Sequence, residues 1–293
     1  MICLIVVASL LSTVPSVITF QPIWIGDSFS TESFLSPIQN QLLWETCGNQ
    51  KESKHKRFPW AVSFTVDGVN RLGGSIISPY HILTAAHGFV TTIGARGNLC
   101  MDRDLKHPNS SVYRSIELLR ETRKIRSVLV DGDFAASNCT QGHDWAIVEV
   151  EKRIQFGKDI QPICLPRPQM YYTRALTVPG WGRSYIFNES GPLIHEIPMR
   201  VDRDCRRPWS DRLPASADDY VCATSMDIYN YSAPRTCHGD SGGGLEYRDE
   251  FGRAFLIAIT SFGTRGCPSN MLARFTRVDV YLDLICKYTG VCY

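Results

Sequence analysis

Short apolar segments separated by turn residues constrain the fold of this chain most strongly. Residues 61–66 alternate, with apolar side chains on one face and Ser63 and Thr65 on the other. Further short segments, bounded by Gly, Pro or Asn, lie at residues 73–78, 81–86, 146–150 and 254–260. This pattern favours an all-β barrel or sandwich over alternating strand–helix units. The C-terminal end differs, because its apolar residues recur at helical spacing and predict an amphipathic helix. These residues are Val280, Tyr281, Leu284, Ile285 and Tyr288.

Composition and charge narrow the classes of function. The 293 residues are enough for one large domain or two modest ones. The content of 44% hydrophobic and 20% charged residues is ordinary for a soluble globular protein. With 31 Lys and Arg against 29 Asp and Glu, the net charge of +2 gives no reason to expect nucleic acid or an anionic membrane as a partner.

The first residues, Met1 to Leu11, form an apolar run that is followed by small residues. This pattern predicts a signal peptide over residues 1–19, cut near Ser16 to Thr19, and therefore a secreted protein. The alternative is an N-terminal core strand. No later segment approaches about 18 uninterrupted apolar residues, so we expect no membrane association.

Residues 20–46 have mixed polarity and no clear period, and we interpret them as an N-terminal pro-segment. The domain proper is predicted over residues 47–293. The basic run at residues 51–57 is either a solvated linker or a processing site.

The cysteines fit an exported protein. Of eleven cysteines, Cys3 leaves with the signal peptide, and the remaining ten form the even number expected for disulfides in an oxidising compartment. No Cys-x-x-Cys pair is present, and we expect neither a metal nor a cofactor. Four sequons offer possible glycosylation sites on surface loops, some of which we expect to be unused: Asn109, Asn138, Asn188 and Asn230.

Three separate runs together suggest a catalytic site, and they centre on His87, Asp144 and Ser241. A serine hydroxyl becomes a good nucleophile only when a base takes its proton, and a histidine fixed by a carboxylate can do so. Glycines around Ser241 permit the tight backbone that an oxyanion hole requires. The N–H groups of Gly239 and Ser241 are the predicted donors.

With these runs in the order His, Asp, Ser, the sequence resembles the trypsin/chymotrypsin-like serine peptidases from about Cys47 to its C-terminus. Shorter matches lie at residues 58–63, 161–166, 180–182, 261–263 and 273–275. The resemblance implies two six-stranded antiparallel β-barrels with the triad between them. It also implies a protein or peptide substrate, and we expect a monomer.

The resemblance also implies a disulfide plan. It pairs Cys47 with Cys164, Cys205 with Cys222 and Cys237 with Cys267, which leaves Cys100–Cys139 and Cys286–Cys292. Two bridges of the family are absent as whole pairs. Leu72 and Gly88 stand at one of these places, and Leu176 and Tyr247 stand at the other.

Activation departs from the family pattern. Typical relatives expose a new N-terminus that pairs with the aspartate before the nucleophile, which is Asp240 here. This sequence has no such terminus, and cleavage after Arg57 would leave too short a segment. Because a buried unpaired carboxylate costs several kcal/mol, Asp240 needs another partner, such as an internal Lys or Arg, or it stays zymogen-like.

The specificity pocket departs as well. The resemblance places Ser261 and Gly263 beside the substrate backbone, with Ser261 near Asp144. It places Arg235 at the pocket floor and Asn270 where the family usually has a Gly that keeps the pocket open. Arg235 argues against cleavage after Lys or Arg, and three outcomes stay open: a preference for acidic residues, a blocked pocket, or another specificity.

Two functions therefore compete. One is a secreted serine endopeptidase of non-tryptic specificity that uses an acyl-enzyme. The other is an inactive secreted homologue that binds or regulates a partner. An α/β esterase also contains Gly-x-Ser-x-Gly, but its triad follows the order Ser, Asp, His and does not fit this chain.

Overall fold

The structure is a computed structural model. It describes residues 20–49, 58–66, 68–90, 115–117, 122–137, 142–183, 194–202, 205, 218–264 and 266–293. The predicted signal peptide, the basic run at 51–57 and the Cys100–Cys139 pair lie outside these residues. Three of the four sequons lie outside them as well: Asn109, Asn138 and Asn188.

Thirteen strands and three α-helices lie within the described residues. The strands are β1 (Pro22–Ile25), β2 (Ala61–Val66), β3 (Val69–Ile76), β4 (His81–Thr84), β5 (Ser115–Glu117), β6 (Thr122–Asp131), β7 (Ala146–Val150), β8 (Ala175–Gly180), β9 (His195–Asp202), β10 (Tyr220–Ser225), β11 (Gly244–Arg248), β12 (Ala254–Phe262) and β13 (Ala273–Arg277). The helices are α1 (Pro37–Thr46), α2 (Gly132–Ala136) and α3 (Leu282–Thr289). No helix in this part of the chain is both long and apolar enough to cross a membrane.

The first barrel contains the strands up to β7. Among the described residues its order is β6-β5-β2-β3-β4-β7, and antiparallel pairing of β7 with β6 closes it. Apolar side chains of its strands are fully buried, among them Phe64 of β2, Ile76 of β3 and Ile82 of β4. β1 is a seventh strand on the outer edge of β6, with Pro22 opposite Asp131 and Ile25 opposite Val128.

The second barrel closes in the order β10-β13-β12-β11-β8-β9. The predicted pair of six-stranded antiparallel barrels with a C-terminal helix is therefore confirmed. Between the barrels, Cys164 forms an isolated bridge with Phe255. One detail differs from the sequence interpretation, because Val280 is exposed and lies just before α3.

The segment predicted as a pro-segment is packed into this fold. Phe20 stacks on Trp145 with ring centroids 5.9 Å apart, and Trp24 lies edge-on to Tyr288 of α3 at 6.0 Å. A capping box begins α1, because Ser36 and Gln39 exchange side-chain and backbone hydrogen bonds. Strand and helix thus form part of the domain surface.

The same segment is joined to the end of the chain. The Leu35 N–H donates to the carbonyl of Thr289 at 2.9 Å. Oδ1 of Asn40 accepts the Cys292 N–H at 3.0 Å, and Nδ2 of Asn40 donates to the Cys292 carbonyl at 3.1 Å. The Cys47–Cys164 disulfide then ties the segment to the chain between the barrels.

Burial predicts what residues 20–46 contribute to stability. Leu43 on α1 is 7% exposed, so Leu43→Ala should lower the free energy of unfolding by about 2–4 kcal/mol through lost contacts and a cavity. Ile38 on the same helix is 74% exposed, and Ile38→Ala is the matched control, with an expected change within about 0.5 kcal/mol. If denaturant unfolding showed the same loss of free energy for both variants, the packing of Leu43 would not contribute to stability.

A buried carboxyl group connects the two barrels. The indole N–H of Trp60, just before β2, donates to Oε1 of Glu246 on β11. Oε2 of Glu246 is buried and has no hydrogen-bond partner among the described residues. Burial raises the pKa of Glu246 to about 8, although the Trp60 bond and the charge of Arg248 oppose the shift.

This raised pKa predicts how stability changes with pH. The folded protein keeps the Glu246 proton up to about pH 8, whereas the unfolded chain releases it near 4.5, so stability should fall as pH rises between these values. Glu246→Gln should make this fall shallower in denaturant unfolding from pH 5 to 9. The exposed Glu250→Gln is the control and should leave it unchanged. If the free energy of unfolding of Glu246→Gln fell with pH as steeply as that of the wild type, the raised pKa could not belong to Glu246.

Candidate active site

His87 and Asp144 meet at the barrel boundary. His87 lies in the 3-10 turn Ala86–Gly88 that follows β4, and Asp144 lies just before β7, which pairs with β4. Asp144 Oδ2 lies 2.7 Å from Nδ1 of His87, and Oδ1 accepts the His87 backbone N–H at 2.8 Å. The carboxylate therefore fixes both the position of the ring and the proton on Nδ1, which leaves Nε2 as a base.

The surroundings of this pair favour the imidazolium. Asp144 is fully buried, and the His87 side chain is 12% exposed. Burial lowers the pKa of His87, but the charge of Asp144 and its hydrogen bond outweigh burial, so the net pKa is raised. A raised pKa stabilises the charged ring that forms when a nucleophile gives up its proton.

The second barrel supports Asp144 from behind. The Ser261 hydroxyl on β12 donates to Oδ2 of Asp144 at 2.5 Å, and the Thr276 hydroxyl on β13 donates to the Asp144 carbonyl at 3.1 Å. Phe262 stacks on the His87 ring with centroids 5.7 Å apart. Ser261 thus lies where the family resemblance expected it, whereas the Phe262 contact had no signal in the sequence.

Two consecutive turns form the loop that carries Ser241. The Asp240 N–H donates to the Cys237 carbonyl, and the Gly243 N–H donates to the Asp240 carbonyl, both at 3.0 Å. Gly239, the other predicted oxyanion donor, has a φ of +100°, a conformation that L side chains rarely adopt. The loop thus bends sharply around the serine, which is half-buried.

The first barrel holds this loop at the end where His87 lies. The Ser241 carbonyl accepts the Gly73 N–H of β3 at 2.6 Å. A Cβ on Gly242 would lie 2.3 Å from the Thr84 hydroxyl, and Thr84 is three residues before His87. No hydrogen bond joins the Ser241 hydroxyl to His87 in the described part of the chain. Such bonds are often long before substrate binds.

Asp240 is buried without the cation that the sequence interpretation suggested. Its carboxylate accepts the N–H groups of Gly182 and Cys237, each at 2.8 Å. Burial raises the pKa of Asp240 to about 7, and the two amide bonds oppose the rise. Within the described residues neither Lys nor Arg pairs with it, so backbone amides take the place of a charged partner.

Arg235 contacts backbone carbonyl groups around the predicted pocket. Its guanidinium donates to the carbonyl of Cys267 and, at 3.1 and 3.2 Å, to those of Tyr231 and Ala233. The side chain therefore links two segments that the Cys237–Cys267 disulfide also joins. The sequence did not predict this linking role.

Gly263 and Asn270, the other predicted pocket residues, are both exposed. Gly263 follows the last residue of β12, and Asn270 lies in a turn before β13. The remaining sequon within the described residues, Asn230, is also exposed, in a turn where its Oδ1 accepts the Ser232 N–H at 2.9 Å.

Four of the five predicted disulfides are present. They are Cys47–Cys164, Cys205–Cys222, Cys237–Cys267 and Cys286–Cys292. At Leu72 and Gly88, side-chain packing replaces one of the two family disulfides that this sequence lacks. A Cβ on Gly88 would lie 2.4 Å from a methyl carbon of Leu72, so the leucine occupies the space beside the His87 turn.

A polar cluster before Asp144 was missed by the sequence analysis. The His143 N–H donates to Oδ2 of Asp219 at 2.7 Å, and the Tyr281 hydroxyl donates to the same oxygen at 2.6 Å. Nδ1 of His143 lies 3.1 Å from Asp131. That hydrogen bond raises the pKa of His143. The charges of nearby carboxylates add to the rise, and burial opposes it. The cluster fixes the backbone that leads into Asp144.

One group of described residues has the composition of a metal site. Ligand atoms of Asp131, Asp133 and His143 lie within 4.8 Å of one another. Asp131 already accepts bonds from the Asp133 N–H at 2.9 Å and the Trp145 indole at 2.6 Å. Helix capping and hydrogen bonding thus account for this group without an ion.

Comparison with known proteins agrees with this geometry. Residues 47–285 match the family described as Trypsin. Human transmembrane protease serine 11A is 28% identical over 80% of this chain and 53% of the relative. The suppressor of tumorigenicity 14 protein homolog of Bos taurus is 25% identical over 82% of this chain and 28% of the relative. Chymotrypsin-C of Bos taurus is 29% identical over 78% of this chain and 83% of the relative. The chain thus spans about half, or less, of the first two relatives.

Proposed function

Because this chain belongs to the trypsin family of serine peptidases, we propose that it is a secreted serine endopeptidase working through an acyl-enzyme. The contact between Asp144 and His87 carries the proposal, because it orients the imidazole and leaves Nε2 as the base. Secretion is supported by the predicted signal peptide and by the disulfides, which persist in oxidising compartments.

Ser241 is the proposed nucleophile. Its Oγ bonds to the carbonyl carbon of the scissile peptide while its proton moves to His87, and Asp144 stabilises the imidazolium. The N–H groups of Gly239 and Ser241 bind the oxyanion. As the intermediate collapses, the C–N bond breaks and His87 gives its proton to the leaving amine. Water then hydrolyses the acyl-enzyme by the same steps.

The competing proposal is an inactive secreted homologue that binds a partner. Two observations favour it within the described residues. Ser241 has no hydrogen bond to His87, and Asp240 has no cationic partner. The same experiment tests both proposals.

A fluorophosphonate probe reports on the nucleophile directly. Ser241 Oγ forms a bond to phosphorus, the P–F bond breaks, and fluoride leaves. We expect the mature protein to be labelled and Ser241→Ala to be unlabelled. His87→Ala should label at least roughly 10³-fold more slowly, because the base is lost. Folded wild-type protein that takes up no probe would support the binding protein instead.

Specificity follows from Arg235 and is expected to be non-tryptic. A guanidinium at the pocket repels Lys and Arg side chains, so a peptide library varied before the scissile bond should show the slowest cleavage after these residues. If the cation reaches the substrate, Asp and Glu should be preferred by about tenfold or more, and Arg235→Gln should remove this preference. Slow cleavage of every peptide would indicate a filled pocket, and rapid cleavage after Lys or Arg would refute the prediction.

A further inference from the structure

We infer that Asn70 is a positioning residue for the oxyanion hole, acting through Gly239 without touching substrate. Its amide Nδ2 donates to the carbonyl of Gly239 at 2.8 Å. The two residues are 169 positions apart and lie on different barrels. The inference rests on the proposed peptidase function, since it gives a role to the groups around that nucleophile.

Ser63 fixes the orientation of the Asn70 amide. The Ser63 hydroxyl on β2 donates to Oδ1 of Asn70 at 2.6 Å, and both side chains are buried, at 5% and 7% exposed. A flipped amide would place its oxygen against the Gly239 carbonyl, and two acceptors repel each other. The pair therefore presents an N–H group, and not an oxygen, to the nucleophile loop.

Gly239 requires such a tether more than an ordinary residue would. Its φ is +100°. Because glycine has no Cβ, rotation about its backbone bonds is less restricted than in other residues. Within the described residues, Asn70 is the sole hydrogen-bond donor to its carbonyl. The bond restrains rotation about the Gly239 α-carbon and, with it, the direction of the predicted oxyanion-hole N–H.

The expected kinetic effect lies below that of losing a donor. Removing one donor of an oxyanion hole costs roughly 10²–10³ in rate, but here the donor remains and only its direction becomes less certain. We therefore expect Asn70→Asp, which replaces N–H by oxygen in the same shape, to slow the reaction by roughly tenfold to a hundredfold. Ser63→Ala leaves Nδ2 in place and should have a smaller effect.

The test measures fluorophosphonate inactivation at increasing probe concentration, which separates the maximal rate from probe affinity. Asn70→Asp should lower the maximal rate per labelled site and leave the half-saturating concentration unchanged. Asn40→Asp is the matched control, because Asn40 also donates to a backbone carbonyl, that of Cys292, but far from the site. It should reduce thermal stability without changing the maximal rate.

A second measurement does not depend on activity. With ¹⁵N-glycine labelling, relaxation dispersion of the Gly239 amide should be small in the wild type and increase in Asn70→Asp and Ser63→Ala. If the wild type labels and Asn70→Asp reacts at the same maximal rate, the positioning role fails while the proposed function stands. If the wild type is not labelled by the probe, the proposed function fails. In that case the positioning role of Asn70 is overturned if the relaxation dispersion of the Gly239 amide is unchanged in both Asn70→Asp and Ser63→Ala.

Discussion

The backbone contact between the first barrel and the loop that carries Ser241 is the constraint on which the site depends. The Gly73 N–H binds the Ser241 carbonyl at 2.6 Å. A Cβ on Gly242 would approach the Gly73 carbonyl to 2.4 Å, so a side chain there would push the barrels apart. Since His87 belongs to one barrel and Ser241 to the other, the distance between the proposed base and the proposed nucleophile follows from this contact.

Buried carboxylates recur around the site, and they are held by N–H and O–H groups. Asp144 accepts bonds from His87 and Ser261, and Asp240 accepts bonds from two backbone amides. Charge-assisted hydrogen bonds of this kind stabilise a carboxylate and also fix its direction. For Asp240 they do not compensate fully for burial, which explains its raised pKa.

Much of the fold could be predicted from local patterns. Alternation identified strands such as β2, and the runs around His87 and Asp144 marked residues that the structure brings together. The Asn70–Gly239 contact had no such signal, because it joins single residues 169 positions apart. Residues 20–46 showed no clear pattern for a related reason. Their buried side chains are spaced irregularly against α3 and β6, so neither helical nor strand periodicity appears. The contacts of Arg235 depend on its rotamer and, for the Cys267 carbonyl, on a residue 32 positions away, which no motif encodes.

The hydrogen bond between Leu35 and Thr289 has a consequence for how the chain is made. Leu35 can meet this partner only after the residues up to Thr289 have left the ribosome. Contacts of such sequence separation form slowly, because a large loop must close before they stabilise anything. Until then Leu35, which is buried in the folded protein, lacks this contact on the growing chain. This contact is thus expected to form late in folding and to help to protect the apolar side chain of Leu35 from aggregation.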